Sequence, residues 1–204
     1  QHAIMAGDEV TGATTFALEE GLDTGPVYGT LTETVRPRDT AGDLLERLAY
    51  AGAQLLVATL DGIEAGTLVP QPQPQDGVSL APKLTTDDAR VDWSVPALAV
   101  DRRIRACTPA PGAWTTWRGD RVKLRPLADV GSASERGALT PGELLADKAG
   151  VRVGTGSQPV LLGEVQPSGR TAMPAADWAR GVRPEPGERF DADALPVVQG
   201  GGIA

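Results

Sequence analysis

The stretch VPQPQPQDG, Val69–Gly77, decides how this chain is divided. Three prolines alternate with glutamines, so every second backbone amide that a helix or a strand ladder would use is missing. A stretch of this kind favours an extended linker. It predicts a boundary between two domains, and a length of 204 residues suits two small ones.

Upstream of the linker, QHAIMA (Gln1–Ala6) reads as the end of a helix closed by Gly7. TGATTFALEE (Thr11–Glu20), rich in β-branched residues, predicts a strand, and Val27–Val35 a second. Between them lies GLDTGP, Gly21–Pro26, which sets one carboxylate, Asp23, between two glycines. After the second strand, Leu44, Leu48 and Leu55 recur at helical spacing, as do Leu45, Leu56 and Leu60. Thr40 and Asp43 make an S/T-x-x-D/E start signal, and Gly66 is the stop. Gly42 and Gly52 each weaken that helix by about 1 kcal/mol against Ala, which predicts a kink or a close approach.

Downstream, PALAVDRRIRAC (Pro96–Cys107) predicts a short helix with Pro at its first turn. The remainder reads as short strands with glycine turns: AWTTWRG, RVKLRPL, GELLAD, VRVGTG and PVLLGEVQP. That spacing predicts a small barrel, with WARG near Trp178 as a closing helical turn. DADALPVVQGGGIA, 191–204, reads as a disordered tail. No internal repeat is visible.

Composition narrows the chemistry. Hydrophobic residues make up 41% and aromatics only 4%, so the core must rest largely on aliphatic side chains. The net charge of −8 is unevenly spread: residues 1–94 carry 15 Asp and Glu against 5 Lys and Arg, and residues 95–189 carry 10 against 14. A basic second half on an acidic chain suggests an anionic partner; a merely solvated charged face is the alternative. One cysteine, Cys107, excludes an internal disulfide and fits a reducing cytoplasm. No run reaches the roughly 18 apolar residues of a membrane helix. Gln1 in place of Met suggests a chain that begins partway through a longer protein.

One histidine and one cysteine cannot furnish a zinc site, so no metal is expected. A Ser-His-Asp triad would have to use His2, which reads as a packed or surface residue. GTGS (Gly154–Ser157) lies between two strands and reads as a hairpin turn, not a phosphate loop. Cys107 is either a buried structural thiol or, beside the Arg-rich helix, a nucleophile; the structural role is preferred. Two features remain. Asp23 sits where open α/β sheets place ligands, although an Asx turn would also explain it. Arg102, Arg103, Arg105, Arg118, Arg121, Lys123 and Arg125, interleaved with Trp114 and Trp117, suit phosphates and bases. The tryptophans equally suit the core of the barrel.

Three blocks, GDEVTGATTFALEEGLDTGPVYG, APKLTTDDARVDWS and IRACTPAPGAWT, closely resemble the methionyl-tRNA formyltransferase family in content and order. The likeness runs to Phe190 and is weaker after Gly137. It implies the C-terminal part of a Rossmann-like α/β formyltransferase domain, an α/β remnant (1–68), then the linker (69–90) and an OB-like, mainly β domain that holds initiator methionyl-tRNA (91–190), followed by the tail. The formyl donor would be 10-formyltetrahydrofolate, with no metal, in a cytoplasmic monomer active in translation initiation. The family's catalytic set is an Asn, a His and an Asp, and the Asp of GLDTG maps to Asp23. Glu20, Gly21, Leu22 and Asp23 would line the folate. The Asn and His belong to a segment ahead of the QHAI helix and are absent from this sequence; His2 does not replace them. The chain by itself is therefore expected to be inactive, with sheet edges and apolar faces exposed. Two other readings stay open: an RNA-binding module carrying a catalytic remnant, and a folate-dependent formyltransferase acting on an amino sugar nucleotide.

Overall fold

The computed structural model describes residues 1–74, 76–132 and 139–191. Contacts divide the chain into two compact units. One comprises Gln1–Thr85 with Arg105–Pro111, the other Thr86–Ile104 with Gly112 onward. The division thus falls at Thr85, inside the span read as linker, and the first unit recovers a short piece from beyond it.

In the first unit, helix α1 (His2–Ala6) ends at Gly7, whose φ of 84° closes the last turn in the left-handed region that glycine enters without penalty. Strands β1 (Val10–Phe16) and β2 (Val27–Thr34) form an antiparallel pair, Val10 opposite Thr34, with a register shift at Thr15/Phe16. Among the described residues, the α/β remnant implied by the resemblance is therefore built on an antiparallel hairpin. The first strand is also shorter than its composition predicts. Ala17 donates its amide to the Pro26 carbonyl (2.9 Å), so the chain turns at Ala17 and Leu18–Glu20 belong to the loop.

Helix α2 (Ala41–Glu64) begins where the sequence places it. Thr40 Oγ1 accepts from the Asp43 amide (3.2 Å), while the Asp43 carboxylate accepts from the Thr40 amide (2.9 Å), a reciprocal capping box. Gly66, at φ 69°, follows the C-cap. The two leucine stripes separate: Leu44 is buried and Leu48 and Leu55 half-buried, whereas Leu45, Leu56 and Leu60 are exposed. Ile4, Ala41, Leu44 and Ala106 form the small core, flanked by Met5, Val35 and Leu48. Burying Ile4 or Leu44 contributes about 1.5–3 kcal/mol each. Gly42 permits a close approach, since a Cβ there would lie 2.9 Å from Pro109 Cδ. Gly52 causes no break in the helix.

The second unit opens with α3 (Ala97–Ala106), whose last two residues belong to the first unit. Strands β3 (Trp114–Trp117), β4 (Asp120–Leu124), β8 (Glu164–Pro167) and β9 (Met173–Pro174) make a four-stranded antiparallel sheet. Strands β5 (Leu144–Asp147), β6 (Gly150–Val153) and β7 (Val160–Leu161) make a three-stranded one. Arg118 (φ 49°) and Gly119 (φ 84°) are both left-handed, as a two-residue hairpin between twisted strands requires. Among the described residues no closed barrel forms, so the expected barrel appears as two separate sheets. GTGS lies in the six-residue connection, 154–159, between the paired strands β6 and β7, a longer loop than a tight hairpin turn. The WARG turn extends into a full helix, α4 (Ala175–Val182).

The core of this unit is largely aliphatic, as the composition predicts, with an aromatic cluster set within it. Phe190 stacks on Trp93 (ring centroids 5.5 Å apart) and on Trp178 (5.7 Å), and meets Trp117 edge-on (5.9 Å). Asp191, assigned above to the tail, is tied to the sheet. Its carboxylate accepts from Arg90 Nη2 (3.0 Å), Thr116 Oγ1 (2.7 Å) and Thr115 Oγ1 (3.1 Å). The rest of that tail, 192–204, lies outside the described residues.

Candidate functional site

The Asp23 loop is held from several sides. Gly25 is buried, and a Cβ at that position would fall 1.7 Å from the Ala17 carbonyl oxygen, so only glycine lets the loop return against the end of β1. Thr24 Oγ1 donates to Glu19 Oε1 (2.8 Å) and braces the turn from within. Asp23 has φ 55°, a left-handed backbone that Asp tolerates better than most residues. Gln73 Nε2 donates to the carbonyls of both Asp23 and Gly25, each at 2.8 Å. Beside it, Gln71 and Val27 exchange two backbone hydrogen bonds of 2.7 Å. Glu20, Gly21, Leu22 and Asp23 are all exposed, Leu22 to 89%. The Asp23 carboxylate accepts no hydrogen bond from the described residues. This loop therefore presents an ionisable group and an apolar side chain outward on a backbone that is fixed beneath them.

The structure separates the seven basic candidates. Arg121 and Lys123 are exposed and two residues apart on β4, hence on one face of the sheet. They line a cleft of about 180 Å³ with Gln166, Ser168 and Gly169. Arg118 is turned aside: its Nε and Nη2 reach the Glu188 carboxylate at 2.6 and 2.9 Å. That hydrogen-bonded partner holds the guanidinium pKa above its usual value and the Glu188 pKa below its own. Arg103 donates to the Asp88 carbonyl, and Arg102 and Arg125 are half-buried. Arg105 is only 7% exposed and donates to the Asp39 carbonyl (2.9 Å) in the first unit. A buried guanidinium bound to a backbone carbonyl is not offered to a partner in solution.

Neither interleaved tryptophan offers a free face. Trp117 is 5% exposed and packs edge-on to Trp178 (5.4 Å). Trp114 is 8% exposed, donates Nε1–H to the Thr86 carbonyl (2.6 Å) and lies beneath Arg121, 3.9 Å from the ring centroid. Both belong to the packing, so base stacking by these residues is ruled out in this arrangement. Cys107 is fully buried, as a structural thiol is. His2 is set against the linker, its Nε2 2.7 Å from the Pro82 carbonyl. Asp92 and Ser94 of the DWS block form a local turn, with Ser94 Oγ donating to Asp92 Oδ1 (2.6 Å). That bond lowers the Asp92 pKa, and the turn aims Trp93 into the core. Among the described residues no group of His, Cys, Asp and Glu is placed to hold a metal. The residue that composition hid is Gln73, read above as linker; its signal was glutamine placed regularly between prolines.

An α/β unit with a glycine-flanked acidic loop, joined by a proline-rich strap to a β-rich unit with a basic face, defines the class. A model described as formyl transferase matches residues 1–60, and one described as formyl transferase, C-terminal domain, matches residues 83–183. The chain belongs to the formyl transferase family. Within it, the chain is 64% identical over 188 residues to the methionyl-tRNA formyltransferase of Salinispora tropica, covering 92% of this chain and 60% of that protein. It is 63% identical over 193 residues to that of Thermobifida fusca, covering 95% and 61%. The chain thus spans about 60% of the length of the curated relatives it matches. HypX from Aquifex aeolicus, solved in complex with tetrahydrofolic acid, shares the fold with a TM-score of 0.67 at 24% identity, over 87% of this chain and 31% of that one.

Proposed function

We propose that this chain supplies the acidic loop and the tRNA-holding domain of a methionyl-tRNA formyltransferase. The reaction moves a formyl group from 10-formyltetrahydrofolate to the α-amine of initiator methionyl-tRNA. The amine nitrogen bonds to the formyl carbon, the bond from that carbon to N10 of the folate breaks, and the amine's proton ends on N10. A tetrahedral intermediate intervenes with negative charge on oxygen and positive charge on the attacking nitrogen. Asp23 accepts a proton from that nitrogen, directly or through a neighbouring base, and steadies positive charge beside it. Glu20, Gly21 and Leu22 form part of the wall against the folate, Leu22 with its apolar side chain. The β-rich unit serves as an OB-like platform for the acceptor arm of the tRNA, with Arg121 and Lys123 meeting its phosphates. The protein works as a cytoplasmic monomer.

The observation that carries this reading is the braced loop: an exposed carboxylate on a left-handed turn whose flanking carbonyls are both held and whose glycine admits no substitute. Preorganisation of this kind suits a group that must meet a developing charge without moving. The names of the relatives supply methionyl-tRNA as the formyl acceptor, and the resemblance implies the folate donor. The test is formylation of methionyl-tRNA by the enzyme at the length of its relatives, with Asp23→Asn beside the unchanged protein. The variant is expected to lose about 10²–10⁴-fold in kcat with its melting temperature unmoved. An unchanged kcat overturns the assignment.

A further inference from the structure

The linker does more than join the two units. Extended antiparallel to the start of β2, it sets Gln71 opposite Val27. The next rung of such a ladder would pair residue 73 with residue 25. That rung is made by a side chain. Gln73 turns its carboxamide onto the loop, and the one NH2 group gives a hydrogen to the Gly25 carbonyl and a hydrogen to the Asp23 carbonyl, both at 2.8 Å. Two carbonyl acceptors fix which end of the amide faces the loop, since only the nitrogen carries hydrogens. The prolines at 72 and 74 hold the strap extended, which limits the directions in which Gln73 can point.

We infer that Gln73 is a positioning residue for Asp23: it locks the left-handed turn that aims the carboxylate at the reacting amine. The inference rests on the role proposed for Asp23. Without Gln73, two carbonyls of the turn lose their donor, and the φ of 55° at Asp23 loses a restraint that favours it over the commoner right-handed region. The loop stays attached through Gly25, the Ala17 amide and the Gln71 bridge, so the fold survives while the aim degrades.

The experiment uses the full-length enzyme with Gln73→Ala and Gln73→Glu, the latter of equal length but without hydrogens to donate. Each is expected to lower kcat about 10- to 100-fold with the KM for methionyl-tRNA within two-fold and the melting temperature within 2 °C of the parent. Combined with Asp23→Asn, neither should lower the rate further, because there is then no carboxylate left to aim. If Asp23→Asn abolishes turnover while both Gln73 variants keep kcat within two-fold, the inference falls and the Asp23 assignment stands. If Gln73→Glu lowers the rate by the same factor with and without Asp23, Gln73 acts elsewhere and the inference also falls. If Asp23→Asn is itself neutral, the failure lies with the Asp23 assignment.

Discussion

Asp39, 7% exposed, lies between the hairpin and the start of α2. Its two carboxylate oxygens accept from Arg47 Nη1 (2.9 Å) and Nη2 (2.5 Å), and Oδ2 also accepts from the Arg36 amide (2.8 Å). Arg47 in turn reaches Glu33 Oε1 (2.8 Å) and the Thr34 carbonyl (3.0 Å), so one guanidinium ties helix to strand. The Arg47 hydrogen bonds hold the Asp39 carboxyl below its ordinary value, and the same pairing raises that of Arg47. A carboxyl with a depressed folded pKa contributes stability above its unfolded value, near 4, and loses it as pH falls through the lower folded value. Asp39→Asn should therefore destabilise the protein at pH 7 by about 1.5–3 kcal/mol. The gap between variant and parent should close below pH 4 in unfolding curves measured across pH. Asp39 was not legible as a partner of Arg47, because they lie eight positions apart and only the turn before α2 brings the two together.

At the scale of elements, the entry to α2 was readable because its signal is local. Thr40, Asp43 and the amides they satisfy lie within one turn of helix. Thr40→Ala should lower stability by about 1 kcal/mol, measurable as a shift in the denaturation midpoint, while leaving the helix register intact. The end of β1 was misread for the opposite reason. Leu18, Glu19 and Glu20 continue the composition of a strand, but Gly25 folding back on Ala17 ends the ladder, and that approach is set by a residue eight positions away. Periodicity found both leucine stripes of α2 without telling which one faces inward. Burial of Leu44 beside Ile4 and exposure of Leu45, Leu56 and Leu60 settled it.

At the scale of the whole chain, the basic residues of the second half differ in what their side chains meet. Of the seven basic residues, Arg105 is consumed inside the first unit and Arg118 by Glu188, whereas Arg121 and Lys123 remain outward on one strand. Neutralising the latter two, as Arg121→Gln with Lys123→Gln, should weaken tRNA binding. It should also reduce the slope of log affinity against log salt by about 1.5. Arg105→Gln should leave that slope unchanged and lower thermal stability instead. Binding measured across a salt series distinguishes the two sets.

By itself the sequence determined the proline-rich span between two units, the two strands and long helix of the first, the glycine-flanked acidic loop and the membership of a family. All of these rest on signals within a few residues of each other or on blocks that survive as words. Only the tertiary structure decided that the four-tryptophan complement is core rather than platform, that most of the arginines are spoken for, and that a linker glutamine holds the loop. Those facts depend on which distant groups satisfy a hydrogen bond or fill a space, and distance along a chain carries no record of that.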